Sequence, residues 1–257
     1  MSKIVFFDID GTLLDHDKTL PDATKEAIKT LQSNGTYVAI ATGRAPFMYE
    51  GLREELGIES FVSFNGQYVV FENEVIYTNP LKVEILETLL EDTYSNDHPV
   101  VHLNHQTMKS NHKHHPFIEE SMGSLKFPHP DYSPQFYKDR DIYQSLLFCT
   151  KEEENFYRNK YGDDFTFIRW HQYSMDILPK GGSKAEGIKK MIAKLGFNLE
   201  DVYAFGDGLN DIEMIQSVGT GVAMGNAVEE VQRHANMITK HVDENGIYHG
   251  LKELKLI

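Results

Sequence analysis

Asp8 and Asp10 stand two residues apart at the end of an apolar run, Ile4-Val5-Phe6-Phe7. Alternation along an extended strand puts both carboxylates on one side. Two close carboxylates repel and share a proton unless a cation neutralises them. A hard, oxygen-seeking dication such as Mg²⁺ suits the pair. Gly11 follows, where the backbone has to turn tightly over a ligand. An EF-hand loop also opens on spaced aspartates. Here Leu13-Leu14 stand where its further acidic ligands belong, so this segment is not one.

Three other clusters offer complementary chemistry. Tyr37-Val38-Ala39-Ile40-Ala41 runs into Thr42-Gly43-Arg44. A hydroxyl, a backbone N–H and a guanidinium at a strand-to-helix turn make a phosphate site. Taken alone, the same residues read as a common Thr-Gly turn beside a surface arginine. Val202-Tyr203-Ala204-Phe205 runs into Gly206-Asp207-Gly208-Leu209-Asn210-Asp211. Asp207 sits where a third metal ligand belongs. Asp211 either holds a metal-bound water or caps the next helix, and an Asp-Gly turn also fits this composition. Lys184 falls in the first turn of a helix, where the dipole disfavours a cation. A lysine there is tolerable if it faces an anion, which points to a phosphate; a surface lysine is the plain alternative. Lys180 is the weaker candidate.

Other patterns carry less. Gly219, Gly221 and Gly225 miss the dinucleotide-loop spacing by one residue and read as turns. Asn34-Gly35-Thr36 reads as a helix stop, and Asn65-Gly66 as a turn. Six histidines lie from His98 to His115. His102, His105, His112, His114 and His115 match no zinc spacing, and a surface location is expected for most of them. Trp170 is expected to serve packing.

These clusters need strands to carry them. A continuous apolar run such as Ile4–Phe7 suits a strand buried on both faces. Ala23, Ala27, Ile28 and Leu31 share one helical face, with Gly35 as a stop. Strand, helix and strand at this spacing predict a parallel βαβ unit with a right-handed crossover. Ser183 and Glu186 have capping-box spacing. Behind them Ile188, Met191, Ile192 and Leu195 recur with helical period before Gly196. Gly221–Gly225 reads as one more short strand. In such sheets ligands bind beyond the carboxyl ends of the strands. The middle of the chain is more polar and aromatic, and Phe167–Ile177 reads there as strand. The expected organisation is an α/β core, residues 1–80 and 180–257, with an α+β insert at 81–179. Pro80 and Pro179 mark the boundaries.

Composition narrows the function. The 257 residues carry 25 Lys+Arg against 39 Asp+Glu, a net charge of −14. Nucleic-acid binders need a basic face to displace counterions, so that class is not expected. No apolar run reaches the ~18 residues of a membrane span. Cys149 is the single cysteine, so no intrachain disulfide forms, which favours a reducing compartment. A cytoplasmic location is expected.

In order along the chain, the four clusters resemble the motifs of the haloacid dehalogenase superfamily, and within it the Cof-type branch. Asp8-x-Asp10-Gly11-Thr12-Leu13-Leu14 matches the first motif, Thr42-Gly43-Arg44 the second and Lys184 the third. Gly206-Asp207-Gly208-x-Asn210-Asp211 matches the fourth. Ser63–Gly66 and Gly225-Asn226-Ala227 match further segments of that branch. Ala185 departs from the glycine many relatives carry after the lysine. The resemblance implies a Rossmann-like parallel-sheet core with an inserted α+β type II cap. It implies a Mg²⁺-dependent phosphatase acting on a small phosphorylated metabolite, a sugar phosphate or a nucleotide-like ester. Asp8 is then the nucleophile that forms an aspartyl-phosphate, and Asp10 the general acid and later base. Mg²⁺ is held by Asp8, the Asp10 carbonyl and Asp207, with Asp211 in support. Thr42, Lys184 and Asn210 hold the phosphoryl oxygens, with Arg44 nearby and backbone N–H groups at Gly11 and Gly43. A general acid must carry a proton, so the Asp10 pKa is expected to be raised. A phosphomutase on the same scaffold, or an inactive ligand-binding module, are the alternatives.

Overall fold

The computed structural model describes residues 2–257. In chain order the elements are β1 (Ile4–Phe7), α1 (Asp22–Ser33), β2 (Tyr37–Ala41), α2 (Glu50–Leu56), β3 (Ser60–Ser63), β4 (Tyr68–Phe71) and β5 (Glu74–Thr78). Next come α3 (Val83–Ser95), β6 (Val100–Leu103), β7 (Met108–Ser110), α4 (Pro116–Ser124), β8 (Gln144–Phe148), α5 (Glu154–Tyr161), β9 (Phe165–His171) and β10 (Ser174–Pro179). The chain closes with α6 (Lys184–Leu195), β11 (Val202–Gly206), α7 (Ile212–Ser217), β12 (Thr220–Ala223), α8 (Glu229–His234), β13 (Met237–Ile238) and α9 (Gly246–Glu253). Two compact units result. One takes in the chain up to Arg44, Met48–Thr78 and Ser183–Ile257; the other Ala45–Phe47 and Asn79–Gly182.

The first unit is built on an eight-stranded sheet of order β13-β12-β11-β1-β2-β3-β4-β5. The first six of these strands pair in parallel, and β4 and β5 add an antiparallel edge. All four residues of β1 are fully buried, as a strand covered on both faces must be. Ile4 and Phe6 join Ile188 and Met191 of α6 and Met214 of α7 in one apolar cluster. On the other face Phe7 packs on Phe205, ring centroids 5.1 Å apart, and Gly250 of α9 lies directly against that Phe205 ring. Each such buried side chain stabilises the fold by roughly 1.5–3 kcal/mol. The cap of α6 forms as its spacing predicts: Ser183 Oγ accepts from the Glu186 N–H at 3.2 Å, and Gly196 closes the helix at φ +72°.

β1 lies between its chain neighbour β2 and the distant β11. Strand order reverses there, so the carboxyl ends of β1, β2 and β11 open onto one crevice. The α/β class is as expected, and the β3–β5 antiparallel edge is an addition to it.

The second unit carries a five-stranded antiparallel sheet, β7-β6-β8-β10-β9. Leu86 and Leu89 of α3 and Tyr157 and Tyr161 of α5 pack on one face of it, against Leu147, Met175 and Ile177. The single strand expected over Phe167–Ile177 is instead a hairpin, β9 turning at Gln172-Tyr173 into β10. The surface location expected for the histidines fails for His102, which is fully buried in β6 with Nδ1 2.8 Å from Ser145 Oγ. Burial lowers its pKa to about 3, so it is neutral.

Candidate active site

The loop after β1 places Asp8, 7% exposed, at the head of the crevice. The loop after β11 brings Asp207 and Asp211 to the same point. Carboxylate oxygens of the three lie within 4.8 Å of one another. Lys184, 1% exposed, donates from Nζ to Asp8 Oδ1 at 2.5 Å and to Asp211 Oδ1 at 2.7 Å. Its place at the start of α6 is therefore stabilised by two carboxylates. Burial lowers the Lys184 pKa, but Asp211 and Asp8 override it and hold the ammonium above the ordinary lysine value. Burial pushes Asp8 up to about 7, against the pull of Lys184 and with Asp211 and Asp207 adding to the rise. Burial and then the Asp211 charge push Asp207 up to about 6.

Three carboxylates thus face one ammonium in a buried space. Burial first, and then the neighbouring carboxylates, drive Asp8 and Asp207 toward protonation. An all-oxygen set of this kind fits a hard divalent cation. The Asp211 oxygens are already engaged: Oδ1 accepts from Lys184, and Oδ2 from the backbone N–H groups of Asp207 and Gly208 at 3.0 and 2.9 Å. Asp211 therefore orients the loop, and with Asp8 and Asp207 it makes the set of carboxylates that could hold a cation.

Asp10 departs from two expectations. Its carboxylate is outside the acidic cluster. Arg44 holds it in a fork, Nε to Oδ2 at 2.9 Å and Nη2 to Oδ1 at 2.6 Å, and Lys18 Nζ reaches Oδ1 at 2.6 Å. Burial raises the Asp10 pKa, but Arg44 and Lys18 outweigh it and hold the carboxyl below its ordinary value. The direction is opposite to the one expected, because two cations reach Asp10 from elsewhere in the chain.

Gly11 also differs from expectation. Its N–H is taken by Leu14 O at 2.8 Å and is not free for an anion. The glycine is required for another reason: φ is +82°, and a Cβ would stand 2.2 Å from Asp207 Oδ2. Gly11→Ala is expected to displace Asp207 and cut activity roughly tenfold or more, since small misplacements at reacting centres are costly. Steady-state kinetics with a cation titration checks this.

Thr42 is buried, its Oγ1 accepting from the Arg44 N–H at 3.2 Å. Gly43 lies against Asn65; a Cβ would come within 3.0 Å of Asn65 Nδ2. Asn65 itself is 5% exposed, with φ 50° and ψ 44°, so it forms the expected Asn-Gly turn and also backs the Thr42 loop. Asn210 is exposed at the start of the α7 approach.

Three residues escape the motif reading. Thr12 Oγ1 donates to Asp207 Oδ1 at 2.9 Å. Asn226 Nδ2 donates to Gly11 O at 2.8 Å and reaches Asp207 Oδ2 at 3.4 Å. Lys18 clamps Asp10 from an Asp15-anchored turn in which it adopts φ 62°. Only Thr12 and Asn226 lie within segments the motifs quote, and neither carries a local sign of its contact.

Known proteins resemble the chain over its whole length. Residues 5–251 match the model of the haloacid dehalogenase-like hydrolase family. The Bacillus subtilis (strain 168) protein named "Putative phosphatase YkrA" is 52% identical over 256 residues, covering 100% of this chain and 99% of that one. The crystal structure of a hypothetical protein from Geobacillus kaustophilus HTA426 covers both chains fully at 59% identity, TM-score 0.97. The subclass IIB sugar phosphatase BT4131 superposes over the full length of both chains at 29% identity, TM-score 0.85. The chain therefore belongs to the haloacid dehalogenase-like hydrolases, as an enzyme of their phosphatase type.

Proposed function

We propose that the protein is a Mg²⁺-dependent phosphatase that hydrolyses small phosphorylated metabolites through an aspartyl-phosphate on Asp8. The observation that carries this is the convergence of Asp8, Asp207 and Lys184 from three separate segments beside Asp10. Sugar phosphates lead among substrates, in keeping with the likeness to BT4131. A reducing, cytoplasmic setting belongs to the same proposal, on the single cysteine. Among the described residues no helix is long and apolar enough to cross a membrane.

Asp8 and Asp207, with the Asp10 carbonyl, would hold the Mg²⁺. When bound there, it would offset the charge of the phosphate and of the attacking carboxylate. Phosphoryl transfer rests on positioning and charge neutralisation more than on covalent chemistry. Lys184 fixes one Asp8 oxygen, which sets the carboxylate's angle of attack. In the first step an Asp8 oxygen bonds to phosphorus and the ester P–O bond breaks; Asp10, ionised in the resting protein by Arg44 and Lys18, passes to the leaving oxygen a proton it has first taken from water. In the second step Asp10 takes a proton from water, the water oxygen bonds to phosphorus, and Asp8 is released. The Arg44–Lys18 clamp holds Asp10 ionised, the form the second step uses. Thr42, the Gly43 N–H, Lys184 and Asn210 supply donors to the phosphoryl oxygens.

A phosphate-release screen over phosphorylated metabolites, run with Mg²⁺ and with EDTA, tests the reading. Metal-dependent phosphate release from at least one sugar phosphate is expected. Release of an isomeric sugar phosphate in place of free phosphate would favour a mutase, and no turnover at all would remove the reading.

A further inference from the structure

Asp10 faces more positive charge than its carboxylate can balance. Arg44 takes both oxygens in a fork, Nε to Oδ2 at 2.9 Å and Nη2 to Oδ1 at 2.6 Å. Lys18 adds a second donor to Oδ1, from Nζ at 2.6 Å. One negative charge thus meets two positive ones, and one cation is surplus. The two partners are not equivalent. A planar guanidinium bonded at two points is a fixed, strong partner, and the Arg44 side chain is 20% exposed. The Lys18–Asp10 contact is a single bond between side chains that are both 38% exposed, a setting in which an ion pair contributes little. An ammonium carries three donors, and among the described residues Asp10 is the one acceptor that Lys18 Nζ meets.

The turn that carries Lys18 is well anchored. Asp15 Oδ1 accepts from the N–H groups of Asp17 and Thr19 at 2.9 and 2.8 Å, and the Asp15 N–H donates to Thr19 O at 3.0 Å. The His16 ring lies against that of His241, centroids 5.9 Å apart. Lys18 itself stands at φ 62°, in the left-handed region that glycine and asparagine occupy most readily. The backbone of this turn therefore gives no reason for a lysine. Its side chain gives one, since glycine or asparagine there could not span the distance to Asp10.

Under the phosphatase reading, the Asp10 carboxyl reaches the ester oxygen of the leaving group. Both Asp10 oxygens are occupied in the resting protein, so one bond has to open, and the lysine bond is the weaker. The ammonium set free then lies within about 6 Å of the leaving oxygen, two hydrogen-bond lengths. We propose that Lys18 is a specificity-determining latch, which leaves Asp10 as substrate enters and takes an anionic group on the alcohol part of the ester. The substrates it selects are phosphomonoesters whose leaving alcohol itself carries a carboxylate or a second phosphate. Among sugar phosphates these are the sugar-acid and bisphosphate forms. A neutral leaving alcohol offers the freed ammonium no opposite charge. This role rests on the phosphatase reading and narrows its substrates.

Three esters on one three-carbon skeleton test it: glycerol 3-phosphate, 3-phosphoglycerate and 2,3-bisphosphoglycerate. Steady-state kinetics with Mg²⁺ are compared for the parent, Lys18→Met and Lys18→Arg. The parent is expected to favour an anionic ester over glycerol 3-phosphate roughly tenfold or more in kcat/KM, the worth of one charge-assisted hydrogen bond. Lys18→Met is expected to remove most of that preference, mainly through KM, and Lys18→Arg to keep it. The ratio cancels any loss through Asp10 that is common to all three esters, so a merely structural role leaves it unmoved. A preference already present with 3-phosphoglycerate assigns a carboxylate to the latch; one that arises only with 2,3-bisphosphoglycerate assigns a second phosphate. Where an ester binds without turnover, its Ki against p-nitrophenyl phosphate hydrolysis takes the place of KM. No preference in the parent, or an equal one in Lys18→Met, while p-nitrophenyl phosphate is hydrolysed, overturns this role alone. No hydrolysis of p-nitrophenyl phosphate or of any ester removes the phosphatase reading and the latch together.

Discussion

Asp8→Asn is expected to abolish turnover, with a loss of roughly 10⁴-fold or more in kcat. Asparagine keeps the size of the side chain but is not a nucleophile toward phosphorus. The fold should survive the change. Burial, Asp211 and Asp207 already drive the Asp8 carboxyl toward its neutral form, and Lys184 retains Asp211 as counterion. Removing one of three crowded carboxylates relieves repulsion in the metal-free protein. Phosphate release and thermal unfolding, measured side by side, check the pair of expectations: no turnover, with a Tm equal to or above that of the parent. Undiminished hydrolysis would dismiss Asp8 as the attacking group.

Lys184→Met is expected to damage both stability and rate. The ammonium is almost wholly enclosed and bridges two carboxylates. Deleting it leaves buried charge unpaired, which costs roughly 3–5 kcal/mol. The same change removes a preorganised donor at the phosphoryl position, worth about 10²–10³ in kcat. The pH dependence has a definite sign. Asp8 and Asp207 titrate higher in the fold than their ordinary value. A raised acid binds its proton more tightly folded than unfolded, so metal-free stability declines as pH rises from about 4 to about 7. Lys184 is raised as well, so its own contribution is complete below the ordinary lysine value and is lost only above it. The variant lacks that cation, so its decline between pH 4 and 7 should be steeper than the parent's. Urea unfolding at several pH values without metal measures both slopes; equal slopes would mean that Lys184 does not neutralise the cluster.

Much of this site is legible in short segments, because each strand end states its own chemistry. An apolar run that stops at Asp8, at Thr42 or at Asp207 marks where a buried strand meets the crevice. α6 is equally plain, since Ser183, the apolar period and Gly196 agree locally. What escapes is long-range or weakly punctuated. The β9–β10 hairpin turns at Gln172-Tyr173 without the glycine or proline that would announce it. β5 is largely exposed, and its short Val75-Ile76-Tyr77 run does not alternate, so it carries little strand signal. Thr12 meets Asp207 across 195 residues, and Asn226 meets Gly11 across 215. The ionisation of Asp10 is the sharpest case. From its own strand it reads as a crowded acid, and only the fold shows Arg44 and Lys18 closing on it. His102 likewise sits in a histidine-rich stretch that reads as surface, whereas its strand is buried on both faces.

The most direct test is a search for the covalent intermediate. The protein is mixed with Mg²⁺ and a hydrolysed substrate, quenched in acid, digested and examined by peptide mass spectrometry. Asp10→Asn is run in parallel, because losing the base slows the second displacement. A phosphoryl group on Asp8, more abundant in the Asp10 variant, is the predicted result. Phosphate released at the normal rate while Asp8 stays unmodified in both proteins would contradict it.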